Sequence, residues 1–174
     1  MDLFYDFHTT TELPPEVIAM RLIVAAFLGG MIGIEREWRQ RSAGLRTHML
    51  TSLAAAVFTV LTIEILHADM LANEAARADP VRVIEAVTAG VAFLAAGAII
   101  QGRGQVRGLT TGAGMWLAGA LGVAAGLGYF LIGFLAAVFG LIIIAVLGRI
   151  EKAVEKEGSN KEAKDGQAKD GVSD

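Results

Sequence analysis

Apolar residues in this chain fall in long uninterrupted runs rather than in stripes spaced one helical turn apart. A bilayer's hydrocarbon core, about 30 Å thick, needs roughly 20 consecutive apolar residues from a spanning helix. A helix also satisfies every backbone group within its own segment, as a water-free layer demands. On that measure the runs predict helices over Val17–Ile34, Met49–Leu66 and Val81–Ile100. Leu109–Leu147 then continues for 39 residues without a charge, about twice a spanning length. Gly126-Leu127-Gly128-Tyr129 supplies the break, because two glycines permit a tight turn and Tyr129 suits an interface. A fourth helix over Leu109–Ala125 and a fifth over Phe130–Leu147 follow, as an antiparallel hairpin. The expected fold is an all-α integral membrane protein with five transmembrane helices.

The flanks differ in character. Residues 1–16 mix Leu3, Phe4, Tyr5 and Phe7 with acids and read as an extracytoplasmic or interfacial segment. Pro14 and Pro15 suit the first turn of a helix, where a missing N–H costs nothing. The membrane domain is expected over 17–148. Residues 149–174 are rich in Lys, Glu, Asp and Gly and read as a charged, mostly disordered cytoplasmic tail.

Composition agrees: 54% of residues are hydrophobic, which excludes an ordinary soluble domain. With no cysteine, disulfides, thiol catalysis and cysteine metal sites are excluded as well. Met1-Asp2 opens without a basic n-region, so the first span reads as permanent rather than as a cleaved leader. Charge then sets orientation. Arg36, Arg39, Arg41 and Arg46 lie in loop one, Arg103 and Arg107 in loop three, and Arg149, Lys152 and Lys156 after helix five. The positive-inside rule puts these in the cytoplasm and the N-terminus outside.

A shift of 64 residues superposes Gly33 on Gly97, Arg39 on Arg103, Gly44 on Gly108, Leu45 on Leu109 and Thr47 on Thr111. Helices one and three run the same way, so this would be a parallel repeat of two helices about the membrane normal.

Candidate chemistry sits at the two surfaces. On the cytoplasmic side, Gly-Leu-x-Thr opens a helix after each basic loop, and a helix N-terminus is hospitable to anions. The candidate binding face is Glu35, Arg36, Gly44, Arg46, Thr47, Arg107, Gly108, Thr110 and Thr111, suited to phosphate, a lipid headgroup or an acidic partner segment. A plainer reading is that the arginines only set topology. Glu35 with Arg39 and Glu37 with Arg41 have helical i,i+4 spacing, and Glu35 is also placed to reach Arg107. The outer polar cluster is Arg21, Glu64, Asp79, Arg82 and Glu85, with Glu64 and Glu85 expected to pair with Arg21, since a partnered charge is cheaper there. Asp79-Pro80 reads as a helix start. Hard cations want oxygen ligands, but the acids are too loosely spread for a metal site to be assigned. Near the midplane only Ser52, Thr59 and Thr88 offer polar atoms, whereas ion carriers usually place a charge there.

Glycines carry the expected helix packing: Gly29 with Gly33, Gly108 with Gly112, and Gly122 with Gly126 are one turn apart, and Gly90 and Gly97 mark a face of helix three. One such face is expected to make a homo-oligomer. No catalytic, nucleotide-binding or nucleic-acid-binding motif is present in the sequence, and no cofactor is implied.

These residues resemble a known family. Arg21-Leu22, Gly29-Gly30-x-x-Gly33-x-Glu35-Arg36-Glu37 and Ala43-Gly44-Leu45-Arg46-Thr47-His48 look like the membrane domain of the MgtC/SapB family. Asp79-Pro80-x-Arg82, Phe93-Leu94-x-Ala96-Gly97 and Val106-Arg107-Gly108-Leu109-Thr110-Thr111-x-Ala113 agree with it. The resemblance covers about residues 15–147. It departs where Ala92 and Ala95 replace glycines usual in the family's third-helix block, which limits close approach at that face. With no soluble C-terminal domain after helix five, the chain resembles short, membrane-only members.

The resemblance implies a bacterial inner-membrane protein tied to low-magnesium growth, acid stress and survival inside macrophages. It also implies a non-enzymatic action, by contact with membrane proteins such as the F-type ATP synthase. The alternatives are a small oligomeric Mg²⁺ or H⁺ transporter or channel, and a lipid-interacting or assembly factor.

Overall fold

The structure is a computed structural model that describes residues 11–72, 81–102, 105–146 and 148. It contains α1 (Pro15–Trp38), α2 (Leu45–Ala72), α3 (Val81–Ala98), β1 (Ile100–Gly102), β2 (Gln105–Arg107), α4 (Leu109–Leu127) and α5 (Phe130–Val146). The first four helices are each long and apolar enough to cross a membrane, and α5 is a shorter apolar helix. The interfacial reading of residues 1–10, Asp79, and the tail from 149 onward lie outside the described residues.

Proline opens the bundle. Pro15 occupies the first turn of α1 and Pro14 precedes it in extended conformation. At the other end of the fold, α4 stops at the expected glycines. Gly128 takes the left-handed conformation at φ +84°. Its N–H donates to the Ala125 carbonyl and the Tyr129 N–H to the Ala124 carbonyl, the paired bonds of a Schellman ending. That ending turns the chain straight into α5.

Lipid tails are as apolar as leucine, so helices in a bilayer associate through close packing and hydrogen bonds rather than through a hydrophobic drive. α1, α2 and α4 pack mutually, and α5 closes the group. Its interior is Ala25, Leu28 and Ile32 of α1, Ala56 of α2, Leu121 and Ala125 of α4, and Ala137 of α5. Small residues bring the backbones together. A Cβ on Gly29 would lie 2.5 Å from the His48 carbonyl oxygen, and one on Gly33 would lie 2.7 Å from the Leu45 Cα. On α4, a Cβ on Gly122 would overlap the Ser52 carbonyl oxygen, and one on Gly126 would reach 2.7 Å from Thr59 Cβ. Ser52 completes the contact, its buried hydroxyl donating to the Ala25 carbonyl at 2.7 Å.

Helix α3 is different. It rests on α4, where Gly112 and Gly119 admit Ala95 and Val91, and it touches α2 only lightly. A second small core of Ala55, Val87 and Val91 marks where the three meet.

The third loop departs from expectation. Helix three was expected to reach Ile100, but it ends at Ala98, and Ile100–Gly102 pairs antiparallel with Gln105–Arg107. The hairpin returns the chain against the end of α3. Gly108, at φ +90°, presses on the Ala98 carbonyl so closely that a Cβ would overlap it. Only glycine fits both the conformation and the contact.

Candidate functional site

The C-terminal end of α1, the N-termini of α2 and α4 and the hairpin lie at one end of the bundle, here the loop-one face. The last turn of α1 is held by charge. Arg36 Nε donates to Glu35 Oε2 at 2.8 Å, and Arg39 Nε pairs with the other carboxylate oxygen. The Arg39 guanidinium also lies against the helical Gly148, at the C-terminal end of the described bundle, where a cation complements the helix dipole. Arg36 is inside the protein, 2% exposed.

Glu37 reaches across loop one. Its Oε2 accepts the Leu45 N–H at 3.0 Å, satisfying one of the unpaired donors that open α2. The same carboxylate fills the space beside Gly44, where a Cβ would overlap it. The motif glycine is therefore a seat for the capping acid.

One turn further in, His48 is fully buried. Its Nδ1 lies 2.8 Å from the Gly44 carbonyl, which can only accept, so Nδ1 carries the proton. The other nitrogen, Nε2, then presents a lone pair at the α1–α2–α4 junction, 3.1 Å from where a Cβ of Gly114 would stand, with Ile32 beside it. Among the described residues His48 Nε2 has no hydrogen-bond partner, and neither does Arg36 Nη1. Ile32 and Arg36 are one turn apart on α1. A buried acceptor without a donor and a buried donor without an acceptor thus occur in one neighbourhood.

The expected binding residues divide into two sets. Arg46, Arg107 and Thr110 are exposed, while Thr47, Gly108 and Gly44 are half-buried. Arg36 and Thr111 are buried, and Glu35 is nearly so. The expected Glu35–Arg107 contact is corrected: Glu35 is spent within its own helix on Arg36 and Arg39, and Arg107 has no ion-pair partner among the described residues. Glu37 likewise serves the α2 N-terminus rather than Arg41. Backbone N–H groups reached across the loop compete successfully with a solvated side-chain pair worth only a few tenths of a kcal/mol.

At the opposite face, the expected pairing of Arg21 with Glu64 or Glu85 is also corrected. Arg21 Nη1 donates to the Gly126 carbonyl at 2.7 Å, placing a cation at the C-terminal end of α4. Glu64 instead accepts the N–H groups of Glu12 at 2.7 Å and Leu13 at 3.1 Å, tying the entry of the chain to α2. Glu85 and Arg82 are exposed. Among the described residues no group of three or more His, Cys, Asp or Glu could hold a metal ion.

The packing glycines divide too. Gly29, Gly33, Gly112, Gly122 and Gly126 meet another helix, whereas a Cβ on Gly90 or Gly97 would find nothing within 4 Å. The expectation that Gly90 and Gly97 bring helices together is therefore corrected within one protomer, because α3 leans toward α4 and away from α2.

The roles of Glu37 and His48 were not read from the sequence, where Glu37 was matched with Arg41 and His48 stood only as the last residue of a motif. Glu37 acts across eight residues of chain, with no local spacing signal. His48 is readable only as a histidine four residues after the motif glycine whose carbonyl it meets.

A bundle of apolar helices with its charges gathered at its ends is a multi-pass membrane protein. The model of the MgtC family matches residues 22–153, and the chain belongs to that family. It is 36% identical over 131 residues to a protein of Escherichia coli K12 named "Putative magnesium transporter YhiD", covering 75% of this chain and 60% of that one. It is 40% identical over 112 residues to "Protein MgtC" of Salmonella typhimurium, covering 64% of this chain and 44% of that one. An uncharacterized protein of Synechocystis is 39% identical over 111 residues, covering 64% of this chain and 44% of its own length. The chain thus spans about half the length of these curated relatives. No solved structure matches.

Proposed function

We propose that the chain is a non-enzymatic protein of the bacterial inner membrane. It would act by binding an acidic segment of another membrane protein at its loop-one face, and so influence magnesium and acid-stress homeostasis. The observation that carries this reading is the division of charge at that face. Glu35 is spent on Arg36 and Arg39 and the exposed Glu37 on the Leu45 N–H, while Arg46 and Arg107 stand exposed without a carboxylate partner among the described residues. The outward surface is therefore cationic, which attracts and orients an acidic partner. By the positive-inside rule the same arginines favour a cytoplasmic loop-one face with the N-terminus outside. Trp38, the last residue of α1 and 83% exposed, suits an interfacial anchor.

The magnesium connection rests on the relatives' names. The F-type ATP synthase is the first partner to test. Affinity purification from membranes followed by mass spectrometry should recover a membrane partner on the wild type and lose it on the Arg46→Gln, Arg107→Gln double variant. Equal recovery on both would overturn the cationic face as the contact.

A transporter reading is favoured by the name of the Escherichia coli relative. Mg²⁺ flux in proteoliposomes carrying the purified chain would support it over the contact reading, and absence of flux with retained partner binding would decide the other way.

A further inference from the structure

We propose that the cleft between α2 and α3 binds one acyl chain of an anionic phospholipid, with the lipid phosphate held by Arg82. The cleft has a volume of about 640 Å³. Its α2 wall runs from Thr51 to Ile65 through Ala54 and Phe58, and its α3 wall runs from Arg82 to Leu94 through Gly90. At 1.5 Å per residue each wall is roughly 20 Å long, a narrow apolar slot that suits an extended hydrocarbon chain.

Its chemistry agrees. Two threonines line it, but both hydroxyls are already used: Thr51 donates to the Thr47 carbonyl and Thr62 to the Phe58 carbonyl, each at 2.8 Å. Their methyl groups are left to face the cleft, and the remaining α2 wall is aliphatic or aromatic. Water gains nothing in such a space, and an empty one forfeits dispersion contacts along its whole lining. Phe58, Leu61, Ile65 and Leu94 are exposed at its rim, so it opens sideways toward lipid and can be entered from within the bilayer.

One charge lines the cleft, and it stands at one end. Arg82 is exposed in the first turn of α3 and has no ion-pair partner among the described residues. A guanidinium at the mouth of an apolar slot matches a phosphate at the head of an acyl chain, through paired N–H bonds. A lipid of net negative charge is preferred over a zwitterionic one, whose amine offsets the phosphate.

Native mass spectrometry of the full chain, released from micelles doped with phosphatidylglycerol or phosphatidylcholine of identical acyl chains, tests this. The wild type should retain one phosphatidylglycerol in preference to phosphatidylcholine. Arg82→Gln should reduce that preference about tenfold, the loss of a charge-assisted bond. Gly90→Leu has open space to enter and should displace both lipids while the thermal transition stays in place. Ala54→Leu should do the same from the opposite wall. Equal retention of the two lipids by the wild type, an unchanged preference in Arg82→Gln, or undiminished binding in both cleft-filling variants would overturn the proposal. So would a dimer that covers the cleft in place of lipid.

Discussion

Helices α1 and α2 close on one another through glycines of α1, whereas α3 and α4 meet through glycines of α4 and leave α3 standing clear of α2. The two halves share a visible register: α2 and α4 begin at Leu45 and Leu109, 64 residues apart. What differs is the first helix of each pair. The position matching Gly29 is Phe93, which is 80% exposed, and Gly97, matching Gly33, faces open space. A bulky residue stands in place of glycine on a face that is left open, and a bilayer supplies no hydrophobic penalty to pull it back. The loops diverge with the helices. Loop one is short and fixed by the Glu37 carboxylate on α2, while loop three folds into a hairpin that leads to the left-handed Gly108. The first half closes tightly and the second leaves a cleft between α3 and α2.

Substitutions can break or sharpen that contrast. The largest effect is expected at Gly122, where any side chain meets the Ser52 carbonyl and backbone must move. Gly122→Leu should cost about 3 kcal/mol or more and abolish the folded species in size-exclusion chromatography. Arg21→Gln should cost about 1.5–3 kcal/mol, since it removes the charged donor from the Gly126 carbonyl. Thermal unfolding in detergent reads this, and Glu64→Gln should leave the Arg21 contact untouched. Glu37→Ala should cost about 1 kcal/mol, the scale of a lost helix cap, with hydrogen exchange rising first at the start of α2. Ser52→Ala should be smallest, about 0.6 kcal/mol for an interhelical hydrogen bond in a membrane, because glycine contacts on either side still hold α1, α2 and α4 together.

Much of this architecture is written in runs and breakers. The starts of α3, α4 and α5 and the turn at Gly126–Tyr129 are legible because a charge, proline or glycine stands at each boundary. The hairpin is less so: Ile100-Gln101-Gly102 and Gln105-Val106-Arg107 are three-residue strands, too short to show a period of two. Side-chain partners were read poorly for one reason. Glu37, Arg21 and Glu64 were assigned to opposite charges, yet they bond to backbone groups at helix or chain ends, whereas the Glu35–Arg39 pair read from its i,i+4 spacing is present. Within an apolar bundle an unpaired carbonyl or N–H also demands a partner, and nothing in a linear sequence shows which one lies across the interface. Gly90 and Gly97 show the same limit, since a glycine face records the ability to pack and not the presence of a neighbour.

The most direct measurement compares two leucines introduced at matching positions of the two halves. Gly33→Leu and Gly97→Leu should be expressed as the full chain and their thermal unfolding followed in the same detergent. Gly33→Leu is expected to lose the cooperative transition, because Leu45 Cα stands 2.7 Å from the new Cβ, while Gly97→Leu is expected to melt with the wild type. Equal destabilisation of the two variants, or a larger loss in Gly97→Leu, would contradict a closed first half beside an open third helix.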